Sequence, residues 1–225
     1  MRKLPVYLLI DTSGSMKGEP IEAVNVGLHA LVSSLRRDPQ ALETAHLGVI
    51  TFDREAKLIL PMTPVEDFQL PVIESCLSGP TMTGAALELL CQRVDLEVCT
   101  SSTGDLKRDW KPLLFLMTDG TPSDSQKYKE MVSECKNRHF GAIIACAAGM
   151  KANVDVLKGF ADKILTLATC DSSTFNRFFA WVSASISVSA QGSAAASLAI
   201  IPESATDGNK MSEIDAGSEG EIPAQ

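Results

Sequence analysis

Three short segments of the 225-residue chain carry oxygen-bearing side chains that could bind a metal ion. The first reads DTSGS, the second GPTMTG and the third TDGT, and together they offer two carboxylates, Asp11 and Asp119, and at least three hydroxyls, with no histidine or cysteine. Carboxylate and hydroxyl oxygens suit Mg²⁺, Mn²⁺ or Ca²⁺, whereas zinc and copper prefer nitrogen and sulfur. Because carboxylates are few and the hydroxyls are small, we predict an octahedral Mg²⁺ site that keeps bound water, with Mn²⁺ and Ca²⁺ as alternatives.

The segments lie next to stretches whose patterns predict strands and helices. The apolar run LPVYLLI ends just before Asp11, and the run LLFLM ends just before Thr118 and Asp119. Runs of this kind are typical of strands buried on both faces of a parallel sheet. Between Ile21 and Leu35 the apolar residues recur at the spacing of one helical face. The first and third segments are therefore expected at the carboxyl ends of two buried strands.

Strands and helices continue to alternate along the rest of the chain. Further strands are predicted at 47–52, 57–60, 141–146 and 164–167, and further helices at 68–77, 84–94, 123–138, 153–159 and 175–188. Ser123 followed by Gln126 resembles a capping box at the start of one helix. The pattern predicts an α/β fold with a doubly wound, mostly parallel sheet, one antiparallel edge strand at 57–60, and helices on both faces. In such folds, ligands bind outside the carboxyl ends of the strands.

Charge and composition divide the chain into two parts. The formal net charge is −8, of which residues 191–225 carry −5, so that −3 remains for residues 1–190. The second part has no aromatic residue and is rich in serine, alanine and glycine, a composition typical of disorder. We predict one folded domain over 1–190 and a disordered acidic tail over 191–225. The acidic balance argues against nucleic-acid binding, and no apolar run is long enough to span a membrane.

The cysteines give an expectation about the compartment. The six cysteines contain neither a C-x-x-C motif nor the close spacing of a zinc site. The apolar run after Met1-Arg2-Lys3 ends at Asp11 without a small-x-small cleavage site, unlike a secretory signal. We therefore expect free thiols in a reducing cytoplasm.

Catalytic motifs are lacking in the sequence, which favours a binding module over an enzyme. Neither a G-x-S-x-G elbow nor a phosphate-binding glycine loop is present. A metal-dependent phosphohydrolase would also place an aspartate after the first strand, but it needs a second acid two residues later, where this chain has Ser13. That enzyme is the alternative from another class. On a purely structural interpretation, Thr83 caps a helix, Thr118 is a supporting hydrogen-bond donor, and Asp53 and Asp124 are turn and helix-start residues.

The three segments, in this order, resemble the metal-ion-dependent adhesion site of the von Willebrand factor A domain. The resemblance covers about residues 4–190 and implies that Ser13, Ser15 and Thr81 contact the metal through their hydroxyls. It implies that Asp11 and Asp119 act largely through bound water. In that family an acidic side chain of a partner protein usually completes the coordination, so the resemblance implies a metal-dependent protein-interaction module.

Two longer stretches also resemble one branch of this family. LPVYLLIDTSGSM and LMTDGTPSD are similar to the TerY-type proteins linked to bacterial tellurium resistance and stress response. The resemblance implies a cytoplasmic protein whose partners include a protein kinase and a PP2C-type phosphatase. An extracellular adhesin is the alternative within the binding class.

Overall fold

The computed structural model describes residues 2–101, 108–148, 153–167, 172–191 and 211–215. The helices and strands of these ranges are β1 (Leu4–Asp11), α1 (Glu19–Leu35), α2 (Pro39–Thr44), β2 (Ala45–Phe52), β3 (Ala56–Pro64), α3 (Thr83–Glu97), β4 (Leu113–Thr118), α4 (Ser125–Asn137), β5 (Ala142–Ala148), α5 (Val154–Lys158), β6 (Lys163–Leu167), α6 (Ser172–Ala190) and β7 (Met211–Asp215). A single turn of 3₁₀ helix, Gly14–Met16, lies between β1 and α1.

The strands of the described ranges form one sheet in the order β3-β2-β1-β4-β5-β6-β7. β1 pairs in parallel with both β2 and β4, and the parallel pairing continues through β5 to β6. β3 is antiparallel to β2 and lies at one edge. The predicted fold class, a mostly parallel doubly wound sheet with β3 as an antiparallel edge strand, is confirmed. β1 and β4 are neighbours inside the sheet and run parallel, so the segments that follow them lie side by side at the carboxyl ends of these strands.

The edge of the sheet opposite β3 is formed by a strand that the sequence patterns do not predict. Met211–Asp215, inside the segment expected to be disordered, pairs antiparallel with β6. Without this strand, β6 would present a row of unpaired backbone groups at the edge of the sheet. These five residues differ from the disorder expected for 191–225, while the division into a folded domain and an acidic tail stays a prediction, since residues 192–210 and 216–225 lie outside the described residues.

The two faces of the sheet carry separate hydrophobic cores, because successive side chains of a strand point to opposite faces. Leu8 and Ile10 of β1 belong to the core covered by α1 and α6, whereas Tyr7 and Leu9 belong to the core covered by α3 and α4. Every residue of β1 is buried, as its apolar sequence predicts. The last of them, Asp11, is a carboxylate at the edge of this interior.

The chain between β3 and α3 differs from its prediction. A helix is expected around residues 68–77, but this stretch has no regular secondary structure. Side chains of α1 and of the residue after it bind the backbone of this chain segment instead. Asn25 exchanges hydrogen bonds with the N–H and C=O of Ile73, at 2.9 and 2.8 Å, and Arg36, which directly follows α1, donates to carbonyls that include Val65 O and Phe68 O. Because polar side chains satisfy these backbone groups, the segment is stable without helical hydrogen bonds.

Within the described ranges, no helix is both long and apolar enough to cross a lipid bilayer.

Candidate metal centre

Asp11 anchors a cluster of oxygen atoms at the carboxyl end of β1. Its side chain is fully buried, and its two oxygens accept hydrogen bonds from different loops. Oδ1 accepts from the backbone N–H of Ser13 at 2.8 Å, and Oδ2 accepts from the hydroxyl of Thr118, the last residue of β4, at 2.7 Å. The expected role of Thr118 as a supporting hydrogen-bond donor is confirmed. The carboxylate thereby joins the ends of two neighbouring strands.

Hydroxyl groups extend this cluster from the interior toward solvent. Ser13 Oγ lies 3.2 Å from Ser15 Oγ, and Ser15 Oγ donates to Asp119 Oδ1 at 2.8 Å. Ser13 is buried, Asp119 is half-buried and Ser15 is exposed. Four of the five candidate ligands are thus linked by hydrogen bonds, through the backbone N–H of Ser13 at the buried end and through side-chain oxygens at the open end formed by Ser15 and Asp119.

Thr81, the fifth candidate ligand, reaches the cluster from a separate loop. A Cβ placed on Gly120 would lie 3.1 Å from Thr81 Oγ1, so the threonine hydroxyl packs directly against the residue after Asp119. Two reciprocal hydrogen bonds hold the loops together: Thr81 N–H donates to Ser123 Oγ at 3.0 Å, and Ser123 N–H donates to Thr81 O at 2.8 Å. The structure therefore brings all five candidates to one place.

Ser123 has a different role from the one predicted. The capping-box pattern places its hydroxyl on its own helix, but α4 begins at Ser125, and the hydroxyl binds the Thr81 loop instead. Thr83 does not cap α3 either, since its buried hydroxyl has no hydrogen-bond partner within the described part of the chain. For Ser123, a contact between loops replaces the local capping geometry that the sequence pattern favours.

Asp124 supplies the missing cap for α3. Its carboxylate accepts hydrogen bonds from Gly84 N–H at 3.0 Å and Ala85 N–H at 2.9 Å, two donors in the first turn that have no partner within the helix. A negative charge is also favoured at a helix N-terminus by the helix dipole. Asp124 thus ties the beginning of α3, just after Thr81, to the beginning of α4. Its expected place at the start of α4 holds, but its partners belong to another helix.

This arrangement predicts a measurable loss of stability when the cap is removed. We expect Asp124→Ala to lower the free energy of unfolding by about 0.5–2 kcal/mol, as for other lost N-caps. Urea titration with an unchanged slope would measure it. Asp67→Ala, at an exposed position after β3, is the control and should change stability by less than about 0.5 kcal/mol. Equal stabilities of the two variants would contradict the assigned role of Asp124.

The loop that contains Ser13 and Ser15 is also packed against the chain before α3. A Cβ on Gly14 would lie 2.9 Å from Ser78 Cα, so only glycine allows the two backbones to approach this closely. The backbone N–H of Cys76 donates to Thr12 O at 2.9 Å, and Thr12 N–H donates to Phe52 O at the end of β2. Backbone contacts therefore fix the position of the serine hydroxyls.

The residues present fit a hard divalent cation. Among the described residues, no group of three or more His, Cys, Asp or Glu side chains could hold a metal, so the hydroxyls must contribute to any cation site here. Burial raises the pKa of Asp11, while hydrogen bonds from Ser13 and Thr118 oppose the rise and the nearby Asp119 adds to it. A cation beside this carboxylate would offset the cost of burying its charge. An oxygen-only donor set with two carboxylates matches Mg²⁺ chemistry.

Known proteins share this fold, as comparison with solved structures shows. Proximal thread matrix protein 1 of the mussel byssus, with a zinc-occupied MIDAS motif, is 17% identical with a TM-score of 0.59, over 82% of this chain and 48% of that one. The von Willebrand factor type A protein of Catenulispora acidiphila is 15% identical with a TM-score of 0.63, over 83% and 43%. The pilus adhesin SpaC of Lactobacillus rhamnosus GG, in an open conformation, is 11% identical with a TM-score of 0.68, over 84% and 30%. At these identities the likeness shows the fold alone.

Sequence comparison identifies the family. A curated relative, an uncharacterized protein of Synechocystis sp., is 29% identical in an alignment of 131 residues that covers 53% of this chain and 26% of that protein. The chain thus spans about a quarter of the length of that relative and less than half of the solved structures above. The family model of the von Willebrand factor type A domain matches residues 6–179, well over half of the chain. This chain therefore belongs to the von Willebrand factor type A domain family, whose members commonly act in protein interaction through a metal-ion-dependent adhesion site.

Proposed function

We propose that this protein binds a partner protein through a divalent cation, Mg²⁺ in the first place, held by Asp11, Ser13, Ser15, Thr81 and Asp119. The observation that carries the proposal is the hydrogen-bonded cluster that runs from the buried Asp11, through the backbone N–H and the hydroxyl of Ser13, to Ser15 and Asp119 at the open side. These side chains supply the hard oxygen donors that Mg²⁺ prefers, and Mn²⁺ and Ca²⁺ are the alternatives. The bound cation would supply a positive charge at the surface of the domain.

An acidic side chain is the partner group that best suits this site. Three of the five candidate ligands are neutral hydroxyls, and the family resemblance implies that Asp11 and Asp119 act largely through bound water, so few carboxylate oxygens contact the cation directly and it stays electrophilic. A carboxylate from a second protein would add a hard anionic oxygen, and the cation would become part of the interface. Charge-assisted contacts of this kind are stronger than contacts between neutral groups.

The protein is proposed to act without catalysis. A phosphohydrolase that used Asp11 would need a nearby acid to protonate the leaving group, and Ser13 stands where such an acid is expected. Asp119 Oδ1 accepts a hydrogen bond from the hydroxyl of Ser15, which fits a role in orienting that ligand. Metal-dependent phosphate-ester hydrolysis remains the alternative from a different functional class, and it predicts turnover that a binding module lacks.

The proposed setting follows from the resemblance of LPVYLLIDTSGSM and LMTDGTPSD to the TerY-type branch. We propose a cytoplasmic role in bacterial tellurium resistance or stress response, with a protein kinase and a PP2C-type phosphatase as candidate partners. Free thiols at Cys76, Cys91, Cys99 and Cys135 support a reducing compartment. An extracellular adhesin would use the same site on a cell-surface partner.

Capture of partner proteins tests the proposed function. The full chain, immobilised on a resin, is incubated with bacterial lysate in Mg²⁺ and in a chelator, beside an Asp11→Asn variant. We expect specific proteins to be retained by the native chain in Mg²⁺, and to be lost with the chelator and with Asp11→Asn. If the same proteins are retained in the presence of the chelator and by Asp11→Asn, the proposal is contradicted.

A turnover assay separates binding from catalysis. The same preparations are supplied with a generic phosphate monoester and Mg²⁺, and the release of phosphate is followed. We expect no turnover above background from the native chain. Turnover by the native chain that disappears in Asp11→Asn would instead support the phosphohydrolase alternative.

A further inference from the structure

Two cysteines face each other between α3 and α4, on the side of the sheet opposite α1 and α6. Cys91 Sγ and Cys135 Sγ are 3.2 Å apart, and the side chains are 3% and 0% exposed. Both thiols are free. Because a disulfide bond is about 2.0 Å long, the sulfur atoms need to approach by roughly 1.2 Å to form one.

Contacts on both sides of the thiol pair fix the alignment of the two helices. Glu88 of α3 pairs with Lys127 of α4 at 2.7 Å, and Asp95 of α3 pairs with Arg138, just after α4, at 2.7 Å. Residues 88, 91 and 95 lie on one face of α3, since they are spaced by three and four positions. The thiols therefore meet in a defined register, with an ion pair toward each end of the interface.

We propose that Cys91 and Cys135 are a redox-active dithiol that a small disulfide oxidant, such as oxidised glutathione, converts into a disulfide between α3 and α4. The thiolate of Cys91 attacks one sulfur of the oxidant, forms a mixed disulfide and releases one small thiol. Cys135 then loses its proton, attacks the Cys91 sulfur and releases the second small thiol. The two protein thiols are oxidised by two electrons, and the oxidant is reduced to two thiols.

The surroundings favour Cys91 as the first nucleophile. A hydrogen bond from Cys135 lowers the pKa of the Cys91 thiol, and the positive charge of Arg138 acts in the same direction. The hydrogen bond with Cys91, together with burial, raises the pKa of Cys135. A lower pKa increases the thiolate fraction, which is the species that attacks a disulfide.

The oxidant gains access through local opening of α4. Of the thirteen residues of this helix, only Tyr128 and Cys135 are buried. A helix that buries so little side-chain surface is expected to open at a lower free energy than the core strands. Such opening exposes the thiols without unfolding the sheet.

The disulfide would connect two helices that begin a few residues after ligands of the candidate metal centre. α3 begins two residues after Thr81, and α4 begins six residues after Asp119. A covalent link at Cys91 and Cys135 would therefore limit how far the two loops can separate. This inference concerns the thiols themselves and does not depend on metal binding or on a partner.

Oxidation of the full chain tests the inference. The protein is incubated with oxidised glutathione a few degrees below its Tm, remaining thiols are alkylated, and the peptides are mapped by mass spectrometry. We expect a Cys91–Cys135 link, a loss of two hydrogen atoms from the chain, and full reversal by dithiothreitol. Closing a loop across 44 residues should raise the Tm by roughly 5–15 °C.

Matched cysteine variants show which thiols react. Cys135→Ser should stop at a glutathione adduct on Cys91 with no rise in Tm, whereas Cys146→Ser, a buried cysteine on β5, should still form the link. The inference is overturned if no link forms under these conditions, if other cysteines pair instead, or if the link forms without raising the Tm.

Discussion

Mg²⁺ should raise the Tm of the native chain by several degrees and leave the Tm of Asp11→Asn unchanged. A ligand that binds only the folded state stabilises it by about 2.7 kcal/mol when its concentration is 100 times the dissociation constant. For a chain of this size, that corresponds to a rise of roughly 5–10 °C. Asparagine keeps the shape of Asp11 and can still accept the Ser13 N–H, but it lacks the negative charge of the buried carboxylate.

Thermal unfolding with Mg²⁺, Mn²⁺ and Ca²⁺ measures this effect and ranks the metals. Asp67→Asn removes a carboxylate at an exposed position after β3 and should respond like the native chain. Equal rises in the native chain and in Asp11→Asn would mean that the cation binds elsewhere. If none of the metals changes the Tm of the native chain, this would argue against a site that binds the cation without a ligand from the partner.

The proximity of the segments that contain Asp11 and Asp119 could be predicted from sequence, because each of these two aspartates follows a strong local signal. Asp11 and Asp119 come at the ends of apolar strands, and parallel strands at the centre of a sheet bring their carboxyl ends together. The position of Thr81 depended on the family resemblance, since no strand immediately precedes it. Its tie to Ser123 joins residues 42 positions apart and has no local sequence signal.

The residues that hold the loops in place were harder to predict. Asp124 caps α3 by accepting from Gly84, a residue 40 positions earlier in the chain, and patterns of neighbouring residues cannot reveal such a contact. Ser123 has the local pattern of a capping box, yet the tertiary contact with Thr81 competes successfully for its hydroxyl. In both cases the bond that forms depends on how α3 and α4 pack.

Two differences in the fold have a similar origin. The polar sequence MSEID has a weak strand signal, but an edge strand is stabilised by backbone pairing with its neighbour, here β6. The residues before α3 contain apolar positions that resemble a helix face, but Asn25 of α1 and Arg36, which directly follows α1, bind their backbone. Sequence patterns predict elements that bury their own apolar face, and they miss segments that neighbouring elements hold in place.

The close packing of α3 on α4 gives the second large expected effect. A Cβ on Gly84 would lie 2.5 Å from the backbone N of Tyr128 and 2.8 Å from Asp124 Oδ2. We expect Gly84→Ala to lower the free energy of unfolding by about 1–3 kcal/mol, because backbone atoms cannot move aside as a side chain could. The better helix propensity of alanine, about 1 kcal/mol, offsets only part of this cost. Chemical denaturation of the purified variant measures the net change.

Gly159→Ala is the matched control for this prediction, because a Cβ at Gly159 meets nothing within 4 Å and its φ of −76° suits alanine. That variant should be neutral or more stable by up to about 1 kcal/mol. Gly84→Ala should also weaken the response to Mg²⁺, since moving α3 away from α4 breaks the Asp124 cap and shifts the loop that carries Thr81. If Gly84→Ala kept both the stability and the metal response of the native chain, the contact between α3 and α4 would not be what positions Thr81 beside Asp119.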